Sequence, residues 1–302
     1  MVEIVRVSPE EFDWSSEEGP AAEVRRIARA STAHDGAITL NEQALLQLKN
    51  RGLRDAELWV GGGGFALRHG DILDLAVHPE SRRQGAGTAL ASAAVPAGRK
   101  VDAWSHCDHP GAARIAELFS VPRERELVIM RRSLSVPLDD VTVPQGVSVR
   151  AFQPGDESAL LDVNASAFAH HPEQGHMTLE DFNERTGESW FDPAGLFLAV
   201  PADPEPGEPP LLGFHWTKEH RDEDPPYGEV YVVAVNPKAA GRGLGTVLTG
   251  IGLQHLRDRG LESVLLYVDG DNDPAIAVYT GQGFEVERTE VQYRGTSAGL
   301  SR

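Results

Sequence analysis

Short runs of β-branched and other apolar residues, each halted by glycine or proline, recur through both halves of the chain and predict strands. In the first half they are Leu58-Trp59-Val60, Phe65-Ala66-Leu67, Leu75-Ala76-Val77 and Leu127-Val128-Ile129-Met130. In the second they are Val147-Ser148-Val149-Arg150, the stretch from Glu229 to Val235, and Ser263 to Val268. Elsewhere the period lengthens to that of a helix. Val247, Leu248, Ile251 and Leu256 make one apolar stripe, and Pro154-Gly155-Asp156 leads into a helix expected around Ala159 to Phe168. Gly61 to Gly64 reads as a hairpin turn, and Pro201 to Pro210, with five prolines in ten residues, as a mobile hairpin loop. Each half thus runs through helices, a meander of strands, then strand, helix, strand, helix and a final strand, which is a mixed α/β layout. Between the halves, Val136 to Gly146 carries two prolines, two aspartates and no helical period, and reads as a linker. The expected division is residues 1–135, linker 136–146 and residues 147–302.

One pattern is written twice, and an internal repeat of this kind governs everything else. Leu75-Ala76-Val77-His78-Pro79 is followed by Arg82-Arg83-Gln84-Gly85-Ala86-Gly87-Thr88. Val233-Ala234-Val235-Asn236-Pro237 is followed by Ala240-Gly241-Arg242-Gly243-Leu244-Gly245-Thr246. In both, the proline cannot donate to a ladder, so strand pairing stops there. A loop with a G-x-G pair follows, then an amphipathic helix. Glycines let backbone N–H groups approach an anion closely, and the helix dipole favours negative charge at that end. The pattern predicts a diphosphate cradle. The lysine and threonine of a nucleotide P-loop are absent, and no acidic residue stands where a ribose clamp needs one.

Composition narrows the partners. A chain of 302 residues has room for two ordinary domains, and 40% hydrophobic with 25% charged residues fits a soluble globular protein. No apolar run reaches the length of a membrane span, and the first residues lack the layout of a signal peptide. The single cysteine, Cys107, allows no internal disulfide and fits a cytoplasmic location. The formal charge of −18 speaks against nucleic acid or an anionic membrane as partner and suits a cationic substrate such as an amine. A monomer is the working expectation.

The second copy continues into Asn272-Asp273-Pro274-Ala275-Ile276-Ala277-Val278-Tyr279, then Gly283-Phe284. Asn272, Ala275, Tyr279, Gly283 and Phe284 fit without a gap the signature N-x-x-A-x-x-x-Y-x-x-x-G-F, and here the chain resembles the GNAT superfamily of acyl-CoA-dependent N-acetyltransferases. The resemblance implies two tandem GNAT-type domains, each a mixed, mostly antiparallel sheet flanked by helices. It implies acetyl-CoA as co-substrate. The arm of CoA would lie along the bulged strand at Val233 to Val235, with Leu75 to Val77 as the first-half equivalent. The diphosphate would lie on Ala240 to Thr246, or on Arg83 to Thr88 in the first half, beside Asn272 to Ala277. Ala240 departs from the family, which usually has Gln or Arg there; weakened rather than lost affinity is expected.

The chemistry implied is direct attack of an amine on the thioester. With no cysteine in the second half, a cysteine acyl-enzyme there is excluded. An α-amino group has a pKa of roughly 7.7–8.0, so a modest general base is sufficient. Glu229 is the candidate base, and Tyr279 the candidate acid for the CoA thiolate. Aligning Pro79 with Pro237 sets Asp71 opposite Glu229. Aligning Pro110 with Pro274 sets Ile115 opposite Tyr279, Ala103 opposite Tyr267 and Asp108 opposite Asn272. Isoleucine cannot protonate a thiolate, so the first half is expected to bind CoA or nothing and not to turn over.

Over its whole length, most strongly after residue 147, the chain resembles the tandem-domain members of the superfamily that acetylate the cysteinyl amine of Cys-GlcN-Ins, the last step in making mycothiol. The carrying stretches are Phe168 to Gly175, Trp190-Phe191-Asp192-Pro193, Gly213 to Lys218 and Gly228 to Val232. By that likeness Glu173, Lys218, Glu229 and Tyr267 would contact the acceptor, with Glu42 reaching across from the first domain. Carboxylates suit an ammonium; a lysine and a phenol suit sugar hydroxyls. Two other readings stay open: an acetyltransferase for another small amine or a protein amine, and a non-catalytic acetyl-CoA sensor. His170, His171, His176 and His215 meet no zinc spacing, and no metal is expected.

Overall fold

The computed structural model describes residues 2–169, 174–204 and 206–300. Its regular elements up to residue 133 are β1 (Val5–Val7), α1 (Gly19–Asp35), α2 (Glu42–Arg51), β2 (Glu57–Gly61), β3 (Gly64–His69), β4 (Ile72–Val77), α3 (Ala86–Ala94), β5 (Lys100–Ser105), α4 (Pro110–Leu118) and β6 (Arg123–Ser133). The same order then repeats as β7 (Val147–Ala151), α5 (Glu157–Ala167), α6 (Leu179–Thr186), β8 (Leu196–Pro201), β9 (Gly213–His220), β10 (Tyr227–Val235), α7 (Leu244–Asp258), β11 (Ser263–Asp269), α8 (Asp273–Gly281) and β12 (Glu285–Thr296). No helix among the described residues is long and apolar enough to cross a membrane.

Internal contacts divide the chain into two compact units, and the division differs from the one expected at 135 and 147. Unit 1 runs from the N-terminus to Val128 and takes in the chain from Arg288 on; unit 2 is Ile129–Glu287. The last strand of each half therefore ends in the other unit. The cause lies in the partners of those strands. In unit 2, Ile129 and Met130 of β6 are fully buried, and the Leu134 amide donates to the Glu262 carbonyl at 2.8 Å. In unit 1, β12 lies antiparallel on β5 with Val291 opposite Ser105 and Thr296 opposite Lys100. Gln292 and Arg294 both donate to the Asp102 carboxylate. The expected linker has no regular structure but is fastened to unit 2, because Arg132 donates to the Pro137 carbonyl at 2.9 Å.

In unit 1 the sheet buries both faces. Phe65 and Leu67 of β3 point into a core with Val24, Ile27 and Leu48 of α1 and α2, while Ala66 between them joins Leu90, Ala91 and Phe119 on the other face. This is the alternation of a strand with period two. The Gly62-Gly63 turn at the tip of β2 and β3 has φ of 58° and 71°, a left-handed pair that side-chain-bearing residues adopt poorly. Unit 2 repeats the plan. Phe182, Phe214, Trp216, Val232 and Ala234 form the core under α5 and α6; Leu212, Leu244 and Leu248 form the one under α7.

Candidate active site

In unit 2, β10 pairs antiparallel with β9 along its whole length, but its parallel ladder with β11 pairs Gly228 with Val264 and Glu229 with Leu265 and goes no further. Beyond that point the two strands part. Val233, Ala234 and Val235 therefore keep backbone groups on the β11 side that no ladder consumes, which is what an extended ligand arm needs. A bulge between Val230 and Val232 leaves Tyr231 as the extra residue of β10.

The loop after β10 forms an open concavity. Gly241 and Gly243 have φ of 78° and 71°, and a Cβ built on either meets nothing within 4 Å. Gly243 caps α7, so the N–H groups of Leu244, Gly245 and Thr246 lack helical acceptors and face the loop. Asn236 Oδ1 accepts from the Lys238 amide at 3.0 Å and shapes the entry. Arg242 stands 3.7 Å from Glu208 of the proline-rich loop. The 15-residue α7 supplies the dipole. Nearby, Asn272 caps α8 by accepting from the Ala275 amide at 3.2 Å, with Asp273 and Pro274 in the first turn. These residues fit a diphosphate; Ala240, with ordinary φ of −60°, adds a backbone group but no side-chain donor.

Glu229 sits where β10 and β11 diverge. It is buried, at 8% exposure, and its Oε2 lies 2.6 Å from His220 Nε2. His220 stacks on Tyr227 with ring centroids 4.4 Å apart. Lys218 is directly across from Glu229 on β9. Its ammonium lies 4.7 Å from the Trp190 ring centre and 5.5 Å from that of Tyr231. The Arg185 guanidinium donates to the Tyr231 hydroxyl at 3.1 Å. Sequence reading missed Arg185, Trp190, Tyr231 and His220 as site residues. Trp190 and Tyr231 stood in the resembling stretches, whereas nothing in the sequence points to Arg185 or His220.

Tyr279 is half-buried on α8, edge-on to Phe284 with centroids 5.8 Å apart, and burial pushes its phenol up to about 12. Tyr267 is exposed on β11, two positions past the Leu265 that pairs Glu229. Glu42 is the first residue of α2, behind the capping side chain of Asn41; its own side chain lies outside the described residues. So does the whole of Glu173, with His170 and His171. His215 is a core residue: fully buried, it donates from Nδ1 to the Leu248 carbonyl at 2.8 Å, and burial pushes it down to about 4. Asp192, Glu219 and His255 bring one ligand atom each within 4.8 Å of one another, yet both Glu219 oxygens already accept from arginines 221 and 259.

Unit 1 repeats the geometry with other groups. Its β4–β5 ladder pairs Ile72 with Asp102, and a cavity of about 770 Å³ opens from there to the first cradle. Arg82 at the cradle's start is tied back: Nε donates to the Val77 carbonyl, and the guanidinium grips both Asp35 oxygens at 2.7 Å. The Arg82 bonds hold the Asp35 carboxyl below its usual range. Cys107 and His109 line the same cavity; burial pushes the thiol up and the imidazole down. Asp71, opposite Glu229 in the alignment, is exposed. Ile115, opposite Tyr279, packs so near Gly87 that a Cβ there would lie 3.2 Å away.

Comparison with known proteins agrees with this geometry. The model of the acetyltransferase (GNAT) family matches residues 45–117 and 160–284. The chain is 49% identical over 287 residues to a mycothiol acetyltransferase of a Nocardioides species, covering 90% of this chain and 97% of that protein. It is 48% identical over 284 residues to a mycothiol acetyltransferase of Thermomonospora curvata, covering 90% and 93%. Among solved structures, a GCN5-related N-acetyltransferase from Sphaerobacter thermophilus superposes with a TM-score of 0.69 at 24% identity, covering 97% of this chain and 95% of that one. A tandem GNAT protein from the clavulanic acid biosynthesis pathway gives 0.62 at 19% identity over the full length of both chains. At these identities the two structures speak for the fold alone.

Proposed function

From the premise that the chain belongs to the GNAT acetyltransferases, and within them to the mycothiol acetyltransferases, we propose that unit 2 moves acetyl from acetyl-CoA to the cysteinyl amine of Cys-GlcN-Ins. The observation that carries the reading is a buried, histidine-paired Glu229 where β10 and β11 part, on the strand that leads into the open glycine loop. Acetyl-CoA supplies an activated carbonyl; the rest is done by the chain. Leu244 to Thr246 and the glycine loop hold the diphosphate, and Val233 to Val235 align the arm. Lys218, Tyr231, Trp190 and Tyr267 receive the sugar-linked acceptor, with the carboxylate of Glu173 for its ammonium.

The acceptor amine must lose a proton as its nitrogen bonds to the carbonyl carbon and the carbon–sulfur bond breaks. Glu229 takes that proton, directly or through one water, with His220 fixing the carboxylate. Tyr279 faces the departing sulfur. With its phenol at about 12 it stays protonated, and complete transfer to a thiolate with a pKa of about 8.5 would be uphill. Tyr279 therefore acts as a hydrogen-bond donor to the developing thiolate, and its proton moves only as another replaces it. Unit 1, with Asp71 and Ile115 at the matching places, does not turn over. A monomer in the cytoplasm without nucleic acid, membrane or metal completes the reading.

The test is CoA thiol release from acetyl-CoA with Cys-GlcN-Ins against other amines, aminoglycosides and peptides included. Turnover confined to the cysteinyl pseudodisaccharide is expected. Faster release with another amine would keep the mechanism and replace the acceptor, and silence with every amine would make the chain a sensor.

A further inference from the structure

We propose that Arg132, carried on the last strand of the first half, is the positioning residue that holds Tyr279 of unit 2 in place for the departing sulfur. The inference rests on the reading of Tyr279 as hydrogen-bond donor to the developing thiolate. Arg132 lies on the part of β6 that belongs to unit 2, although its sequence precedes the linker. It is buried, and among the described residues no carboxylate forms an ion pair with it. Its fork is spent on carbonyl groups instead: Nη1 donates to Gln282, and Nη2 donates to Pro137 at 2.9 Å.

The Gln282 carbonyl is the point of leverage. Gln282 ends α8, three residues after Tyr279, and its amide donates back to the Val278 carbonyl at 3.1 Å. Gly283 then turns the chain with φ of 80°, and a Cβ built there would lie 3.6 Å from the Arg132 guanidinium carbon. The Phe284 amide returns to the Tyr279 carbonyl at 3.0 Å, and the Phe284 ring meets the Tyr279 ring edge-on at 5.8 Å. Whatever fixes residues 282–284 therefore fixes Tyr279 through both backbone and ring. The same turn reaches the cradle, because Gln282 Nε2 donates to the Thr246 carbonyl in the first turn of α7 at 2.7 Å. Placement is what a donor to a developing charge needs, and a shift of about 1 Å can cost on the order of a hundredfold.

The fold itself does not call for a cation here. In unit 1, α4 ends in the same manner, with Phe119 closing the helix and Ser120 at a left-handed φ of 55°. There the Phe119 carbonyl accepts from the Ala298 backbone amide at 3.0 Å, and the helix carries Ile115 rather than a phenol. A buried guanidinium without a carboxylate is costly, and burial draws Arg132 below the ordinary pKa of arginine. In return, a cation complements the C-terminal end of a helix, and a planar fork fixes two carbonyls at once, here Gln282 after α8 and Pro137 of the linker. The unit with the phenol has the fork; the unit without it uses a backbone amide.

A double-mutant cycle of Arg132→Met with Tyr279→Phe tests this, read in steady-state acetyl transfer by the full chain to the amine that wild type turns over fastest. Arg132→Met is expected to lower kcat about tenfold and to leave KM for both substrates within about twofold, because a misplaced donor is felt in the transition state. In the Tyr279→Phe background the same change is expected to cost less than about twofold, since residues that act as one unit are not additive. Arg132→Lys keeps the charge but reaches only one carbonyl, and is expected to recover kcat to within about threefold of wild type. Equal losses from Arg132→Met with and without the Tyr279 hydroxyl would overturn the proposal and leave the role of Tyr279 intact, as would a wild-type kcat in Arg132→Met. Full turnover in Tyr279→Phe, or silence of wild type with every amine, would overturn the reading of Tyr279 and this proposal with it. If Arg132→Met does not fold, Arg132→Lys carries the same cycle: a loss confined to the background with Tyr279 supports the proposal, and an additive loss overturns it.

Discussion

At the mouth of the first cradle stands Arg82; at the matching place in the second stands Ala240. Arg82 is already engaged by Asp35 and the Val77 carbonyl and so serves the loop's own architecture. Ala240 contributes only backbone, yet its loop leaves both glycines facing open space. A second difference lies where the central strands part: exposed Asp71 in unit 1, buried Glu229 with His220 in unit 2. The third is Ile115 against Tyr279. One backbone design thus serves two ends. The strand, proline, glycine loop and helix start are kept in both; the side chains proposed for proton transfer in unit 2, Glu229 with His220 and Tyr279, are not, since Asp71 and Ile115 stand opposite Glu229 and Tyr279.

The sharpest way to break this comparison is to remove the base from each unit in turn. Glu229→Gln is expected to lower kcat/KM for Cys-GlcN-Ins by roughly 10²–10⁴-fold, the usual worth of a positioned general base. Asp71→Asn is expected to leave turnover within twofold. An equal loss in both variants, in steady-state assays of folded protein, would mean that unit 1 also does chemistry.

Next in size is Tyr279→Phe, expected to cost about tenfold to a hundredfold in kcat. The pH profile adds a check. Because the phenol is pushed up to about 12, its deprotonation removes the donor only near that pH. Wild type and Tyr279→Phe are therefore expected to share the same alkaline limb up to pH 10. A limb near pH 9–10 present only in the wild type would contradict the burial of Tyr279. A smaller effect, about tenfold on KM with kcat nearly held, is expected for Lys218→Met and for Trp190→Ala. Both disturb the cation resting on the Trp190 and Tyr231 rings.

How much of this could be read along the chain follows from what is local. The strand, glycine loop and helix start were legible, because Pro237, Gly241, Gly243 and the start of α7 act within a dozen residues of one another. So was the signature from Asn272 to Phe284. The partner of each last strand was not: β6 and β12 look like strands from their own pattern, but the choice of β5 for Val291 to Thr296 depends on Asp102 receiving Gln292 and Arg294, far away in sequence. His220 was invisible for the same reason, since its meaning comes from the Glu229 carboxylate across the hairpin. Tyr231 was hidden by the bulge, which shifts a residue that simple alternation would assign to the other face. The cavity of unit 1 is lined by residues of α3, α4, β4 and β5 among others and has no motif.

The smallest effect sets the two units against each other through their buried titrating groups, with opposite signs. On β4, Asp74 occupies the place that the apolar Val232 fills on β10 when Pro79 is aligned with Pro237. Burial raises its carboxyl from 3.8 to about 6, against the pull of nearby His106. A carboxyl with a raised native pKa is a liability above that value, and the liability is relieved as the pH falls from 6 towards 4. In unit 2, burial lowers His215 from 6.5 to about 4, so its native form is neutral and stability drains away as the pH falls through the same range. Each shift is worth about 1–2 kcal/mol between pH 7 and pH 5. Acidification over that interval is expected to favour unit 1 through Asp74 and weaken unit 2 through His215. Amide hydrogen exchange read separately over β3–β4 and over β9–β10, at pH 7 and pH 5 with intrinsic rates corrected, measures the two opening free energies. Asp74→Asn is expected to stabilise unit 1 at pH 7 and to lose that advantage by pH 4; the same gap at both pH values would show that Asp74 is ionised and solvated in the native protein. His215→Leu is expected to flatten the acid response of unit 2. If both units weaken in parallel and neither variant changes the slope, the protons are taken up elsewhere, and the contrast between a buried acid in one unit and a buried base in the other has no energetic weight.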